Sequence, residues 1–173
     1  ETQPRRIRIP EEIQQSLDHG YAYVVVDVRG SGASFGIREA EFSLAEVRDM
    51  PHVIDWIAAQ PWSNGKVVAM GRSYTGNTAE LTALYRPPAL VAVVPRFTDY
   101  DWYTSIVIPG GLKNSYITER WGEAVRKMDL NDVSLFGGHQ GAVTEDNPKI
   151  IGVKPVDEDT DRALLAEATK AHE

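Results

Sequence analysis

Three short apolar runs, residues 21–26 (YAYVVV), 67–70 (VVAM) and 90–94 (LVAVV), constrain the fold of this chain more than any other feature. Each is too brief for a helix and lacks strict apolar–polar alternation, the pattern of a strand covered on both faces. Helix punctuation lies between them. Pro10, Glu11 and Glu12 open a segment that Gly20 closes, with acids in the first turn and glycine past the last. Ser43-Leu44-Ala45-Glu46 matches a capping box, and Pro51 is expected to interrupt the helix it starts. The main helical part is then 51–59, with Val53, Ile54, Ile57 and Ala58 at helical spacing and Trp56 beside them. A further helix, 77–85, is stopped by Pro87-Pro88. Strands alternating with helices at short spacing predict an α/β fold with a doubly wound, parallel sheet. With 173 residues and 42% hydrophobic content, the chain can bury the core this requires.

The second run leads into Gly71-Arg72-Ser73-Tyr74-Thr75-Gly76, so Ser73 falls at a strand-to-helix hairpin. This is the context of a nucleophile elbow, where a sharp turn pushes one hydroxyl clear of the sheet at a strain of roughly 1–3 kcal/mol. Such a turn needs slim neighbours, supplied by Gly71 two residues before the serine and Gly76 three after it. The pattern is G-x-S-x-x-G, because Thr75 occupies the place of the commoner second glycine. Free backbone N–H groups at the helix start would face the space above Ser73, making the Tyr74 amide an oxyanion donor. The bland alternative is a βα turn with a harmless serine, and the flanking strand and helix favour the elbow.

Composition removes several functions. A net charge of -7, with no basic cluster beyond Arg5-Arg6-Ile7-Arg8, points away from nucleic acid. The absence of cysteine rules out disulfides, thiolate metal sites and cysteine nucleophiles, without locating the protein in any compartment. No apolar run approaches the roughly 20 residues that span a bilayer, so no membrane partner is expected. The glycine-rich loop after the first run, Gly30-Ser31-Gly32, misses the dinucleotide fingerprint because Phe35 stands where the third glycine belongs. A tight turn braced by Asp27 and Arg29 is expected instead, and no cofactor is implied. Because the chain opens on Glu1, it is expected to be a segment of a longer or processed protein.

Beyond Pro95 the character changes. Asp99-Tyr100-Asp101-Trp102-Tyr103 is aromatic and acidic, Pro109-Gly110-Gly111 breaks the chain, and 115–128 reads as a helix containing Trp121. Residues 129–155 are loop-rich around Gly137-Gly138-His139-Gln140-Gly141, and 161–171 reads as a last amphipathic helix. A boundary near Ile108 divides an α/β core, 1–108, from a mainly helical region, 109–173.

Taken together, these motifs resemble the cocaine esterase and X-prolyl dipeptidyl-peptidase group of α/β-hydrolases, the CocE/NonD hydrolases. The resemblance rests on Gly20-Tyr21-Ala22, Asp27-Val28-Arg29-Gly30-Ser31-Gly32-Ala33-Ser34, Trp56 through Trp62-Ser63-Asn64-Gly65, the Ser73 hexapeptide and Pro109-Gly110-Gly111. It implies a partial α/β-hydrolase core over 1–108 and the start of a helical cap over 109–173, including Lys154-Pro155-Val156-Asp157 and the helix after it. It further implies that Ser73 is the acyl nucleophile, that the Tyr74 amide is one oxyanion donor, and that Trp121 lines the acyl pocket. A second pocket tryptophan of the group is unmatched, with Ile106 near its place. Trp102 and Tyr103 make an aromatic or apolar acyl group a reasonable substrate feature, though aromatics there serve a core equally well.

The group carries its catalytic Asp and His after the cap, and its tyrosine oxyanion donor before the first helix. Both fall outside these residues, so the resemblance implies a nucleophile whose base is supplied from the rest of the hydrolase chain. A triad completed within the chain, Asp99 or Asp101 followed by His139, would keep the order Ser, Asp, His. It is disfavoured because the one further strand-like run, 149–153, follows His139 instead of preceding it. His139 with Glu145 and Asp146 has no metal-ligand spacing, and no metal is expected. His19, His52 and His172 read as solvated or helix-surface residues. Two functions follow: a serine hydrolase acting on a small-molecule ester or amide, or a catalytically incomplete module that binds or assembles, as a homo-oligomer or through its open sheet edge.

Overall fold

In the computed structural model, residues 10–130, 132 and 153–172 are described. The expectations for Gly137 to Gly141, His139, Glu145 and Asp146 lie outside the described residues, as does all of the 149–153 run except Val153. Five α-helices and two strands are described: α1 (Glu11–Asp18), α2 (Leu44–Ala58), β1 (Val67–Arg72), α3 (Tyr74–Leu81), β2 (Leu90–Arg96), α4 (Gly122–Asp129) and α5 (Ala163–Ala171).

β1 and β2 pair in parallel, with Met70 opposite Val94 and Arg72 opposite Arg96 after a register shift between Val67 and Val68. Parallel neighbours need a crossover, and α3 with a following 3₁₀ turn, Thr82–Tyr85, supplies it. α3 lies against both strands, and α2 against β1 and that 3₁₀ turn. Val47 and Ile54 of α2, Val67 of β1 and Ala79 of α3 are buried as the core. At roughly 1.5–3 kcal/mol for each large aliphatic side chain, such burial is what draws the helices onto the sheet.

Residues 21–26 are not a strand. Among the described residues the sheet has two strands, β1 and β2, and Val25 and Val26 are 74% and 51% exposed, so neither covered face is realised. Strand propensity records how a side chain fits a pleated, half-buried surface, and a run without a neighbouring ladder does not become a strand through its residues alone. Pro51 also departs from expectation. It lies inside α2, which runs unbroken from Leu44 to Ala58. The lost amide and the ring's crowding of the preceding turn cost about 3 kcal/mol in an isolated helix. Here Ser43 caps the helix by accepting from the Glu46 amide, and Val47 and Ile54 anchor it on either side of the proline. Likewise β2 continues through Pro95 to Arg96 instead of closing at Val94.

The glycine-rich loop is braced as expected. The Ser34 hydroxyl donates to the Asp27 carbonyl at 2.7 Å, and Arg29 forks onto the Asp49 carboxylate of α2 at 2.6 and 2.7 Å. His172 is not a simple surface residue: it is half-buried, with Nδ1 2.6 Å from the Asp129 carbonyl and Nε2 2.8 Å from that of Ser34. It therefore ties the end of α5 to α4 and to the loop after residue 28.

The start of α5 supplies a pH-dependent element. Asp159 is 4% exposed and accepts from the amides of Leu164 at 3.0 Å and Leu165 at 2.9 Å. Burial by itself would raise its pKa, but the backbone amides of Leu165, Leu164 and Ala163 together hold it below the ordinary carboxylate value. A carboxylate with a depressed folded pKa stabilises the fold above its unfolded value, about 4, and loses that contribution as pH falls through the folded value. Asp159→Ala is thus expected to show a stability deficit that is constant above about pH 5 and shrinks below about pH 4, read from urea midpoints. A deficit unchanged at more acidic pH would show that the carboxylate charge is not what caps α5.

Candidate active site

β1 delivers the chain to Ser73, and α3 begins at the next residue. Ser73 has φ 59° and ψ -126°, a left-handed backbone conformation that L-residues adopt at a cost of roughly 1–3 kcal/mol. Two backbone bonds fix the turn: the Ser73 amide donates to the Arg96 carbonyl at the end of β2, at 3.0 Å, and the Ser73 carbonyl accepts from Asn77 at 2.9 Å. Thr75 adds a third tie, its hydroxyl accepting from the Arg72 amide and donating to the Arg72 carbonyl, each at 2.9 Å.

The slim positions are needed for close approach. A Cβ on Gly71 would run into the Thr75 carbonyl, and one on Gly76 would come within 2.5 Å of the Arg96 carbonyl oxygen. Thr75, which breaks the commoner glycine spacing, thereby has a use: its hydroxyl clasps the strand end that a glycine would leave untied.

Ser73 is exposed, and among the described residues its hydroxyl has no hydrogen-bond partner. As the first residue of α3, Tyr74 has an N–H without an intrahelical acceptor, next to the serine. The arrangement offers an exposed serine beside a backbone donor that has no intrahelical acceptor. An oxygen so placed can approach an electrophilic carbon while the donor meets the negative charge that develops.

Of the aromatic residues expected around a substrate, two lie close to this turn through Tyr74. Trp102 meets the Phe42 ring edge-on at 5.7 Å, and Phe42 stacks on Tyr74 at 4.9 Å. Trp121 shares with Tyr74 the wall of a cavity of about 560 Å³, together with Val25, Val28, Val125 and Met128. Ser73 is not in that wall. Glu41, on the same wall, has a carboxyl whose pKa is raised chiefly by burial, against the opposing pull of Arg38 and Trp121. Tyr103 is 60% exposed, on the π-helical turn Tyr103–Val107.

Each aspartate weighed for an internal triad has a local partner, and the histidine of that triad, His139, lies outside the described residues. Asp101 accepts from the Thr104 hydroxyl at 2.7 Å and the Tyr103 amide at 3.0 Å, and these bonds hold its carboxyl below the ordinary range. Asp99 is bonded through its amide to the Asn77 side chain. Among the described residues, no group of three or more His, Asp and Glu is arranged to hold a metal ion.

The sequence reading missed what lies under the turn. The Tyr74 hydroxyl donates to Glu46 Oε1 at 2.6 Å, and Glu46, at the start of α2, is 1% exposed. Its other oxygen accepts from the Phe42 amide at 3.1 Å, and Arg38, paired with Asp129, lies beside the same hydroxyl. Burial first, then the bond to the Glu46 carboxylate, pushes the Tyr74 phenol well above its usual pKa. In the sequence Glu46 reads as a helix-capping residue; the available signal was a glutamate on the face that also carries Val47 and Ile54, where a charge needs a donor.

Comparison with known proteins places the chain in a family. The model of the X-Pro dipeptidyl-peptidase (S15) family matches residues 3–168. Two mycobacterial proteins, from Mycobacterium bovis and Mycobacterium tuberculosis, both provisionally named serine esterases, are each 43% identical over 153 residues. That alignment takes in 88% of this chain and 24% of each relative, so the chain spans about a quarter of the length of the curated relatives it matches. No solved structure matches.

Proposed function

The chain belongs to the X-Pro dipeptidyl-peptidase (S15) family, and from that premise we propose that it carries the nucleophile of a serine hydrolase that cleaves ester or amide bonds through an acyl-enzyme on Ser73. One observation carries the proposal: Ser73 is exposed at a left-handed turn between β1 and α3. The family's α/β-hydrolase-like fold accounts for that turn, and the β1–α3–β2 unit is suited to such a fold.

In this mechanism the Ser73 oxygen attacks the carbonyl carbon and its proton passes to a base supplied by the rest of the hydrolase chain. The carbonyl oxygen becomes an oxyanion, which the Tyr74 N–H meets; one such donor is worth about 3–4 kcal/mol. Collapse of the tetrahedral species expels the alcohol or amine, protonated by the same base, and water then releases the acyl group from Ser73. Trp121, Trp102 and Tyr103 are proposed to border the acyl group, supported by the proximity of the two tryptophans to Tyr74.

A fluorophosphonate probe tests the nucleophile directly, because it bonds to an activated serine with loss of fluoride. In the full-length protein the expected result is a phosphonylated peptide containing Ser73. An unlabelled Ser73, under conditions that label a control serine hydrolase, would overturn the proposal.

A further inference from the structure

We propose that the side chain of Tyr74, held by the buried carboxylate of Glu46, is a positioning residue that fixes the Ser73–Tyr74 peptide for catalysis. The inference rests on the reading of Ser73 as nucleophile and adds a role for a group that does not touch the substrate. The two backbone bonds of the turn tie Ser73 to β2 and to Asn77. The Tyr74 N–H, which is to meet the oxyanion, takes no part in either. Its direction depends on where the Tyr74 Cα is held, and hence on the ring.

That ring is anchored to a different element. It stacks on Phe42, and its hydroxyl reaches Glu46 at 2.6 Å. Glu46 is immobilised in turn: its second oxygen takes the Phe42 amide, its own amide donates to the Ser43 hydroxyl at 3.2 Å, and it stands in the first turn of α2. A ring that only filled space could be phenylalanine. The hydroxyl provides a short bond to a charged acceptor, and bonds of that kind are about twice as strong as neutral ones and more directional. Anchoring from α2 is suited to resist relaxation of the left-handed turn, which would reorient the nucleophile and the amide donor together.

The test uses the full-length protein, a nitrophenyl ester, and the variants Tyr74→Phe, Glu46→Gln and the double variant. Misplacement of reacting groups by about 1 Å costs on the order of 10²-fold, so Tyr74→Phe is expected to lose about that much kcat. Its KM is expected to stay within about threefold, because a positioning loss falls on the transition state. Glu46→Gln keeps an amide oxygen for the Tyr74 hydroxyl and is expected to lose less. The double variant has no unpaired buried charge to unfold it, and it is expected to match Tyr74→Phe. Wild-type kcat in Tyr74→Phe, or restored kcat in the double variant, would overturn the proposal, the latter by showing that the unpaired carboxylate caused the loss. Fluorophosphonate labelling separates this from the underlying reading: a wild-type Ser73 that labels, with Tyr74→Phe labelling equally fast, defeats the positioning role alone. An unlabelled wild-type Ser73 defeats the nucleophile on which it rests.

Discussion

Ser73→Ala in the full-length protein is expected to lower turnover of an activated ester by on the order of 10⁶-fold while leaving the fold intact. The two halves of that expectation have separate causes. The hydroxyl is exposed and without a partner among the described residues, so its removal breaks no side-chain bond that holds the turn. Both backbone bonds of residue 73 survive in alanine, which meets the same left-handed strain as serine. Stability is therefore expected to change by less than about 0.5 kcal/mol, the range for surface changes away from special features. Activity, by contrast, depends on one oxygen. What remains, roughly 10³–10⁴-fold over water in comparable serine hydrolases, comes from substrate binding and oxyanion donors, the Tyr74 amide among them. Nitrophenolate release and a melting curve, measured on the same sample, check both. Turnover within tenfold of wild type would remove Ser73 from the mechanism, and a collapsed melting curve would show that the serine is structural.

How much of this was legible in the sequence depended on whether the information is local. The Ser73 turn was readable because its determinants lie within six residues: an apolar run, two glycines placed for close approach, and a helix start. The Ser43 cap and the bond from Ser34 to the Asp27 carbonyl are local in the same way, whereas Arg29 finds its partner, Asp49, twenty residues on. Residues 21–26 are not legible in this way, because strand formation depends on a partner from elsewhere in the chain, and β-branched composition cannot supply one. Pro51 was misread for a related reason, since its local cost is offset by the packing of Val47 and Ile54. Glu46 was hidden most thoroughly. Its partner, Tyr74, is 28 residues away, and no spacing rule links an acid in the first turn of one helix to the residue that opens another.

The second large effect is expected from a single methyl group at Gly71. A Cβ there would lie 2.7 Å from the Thr75 Cβ and closer still to the Thr75 carbonyl carbon and oxygen. Ordinary van der Waals separation is about 3.5–4.0 Å, so Thr75 must retreat by about 1 Å. It has no easy route, because its hydroxyl is bonded to both the amide and the carbonyl of Arg72. The clash falls on backbone, which no rotamer change relieves, and α3 must shift at the turn that carries Ser73 and Tyr74. Gly71→Ala is therefore expected to lose about 3 kcal/mol, the upper part of the usual overpacking range. Turnover should fall with it, by on the order of 10²-fold in the molecules that remain folded. Gly122→Ala makes the contrast. It stands at the start of α4 with φ -58° and ψ -42°, and the nearest atom to its Cβ, the Ile117 oxygen, is 3.8 Å away. With ordinary helical angles and open space, the methyl group restricts the unfolded chain at no folded-state cost, so a gain of about 0.4–1 kcal/mol is expected. Denaturant midpoints of the two variants should move in opposite directions. If Gly71→Ala were as stable as wild type, the strand and the helix could not meet as closely as the Ser73 turn requires, and the strain that presents its hydroxyl would have no source.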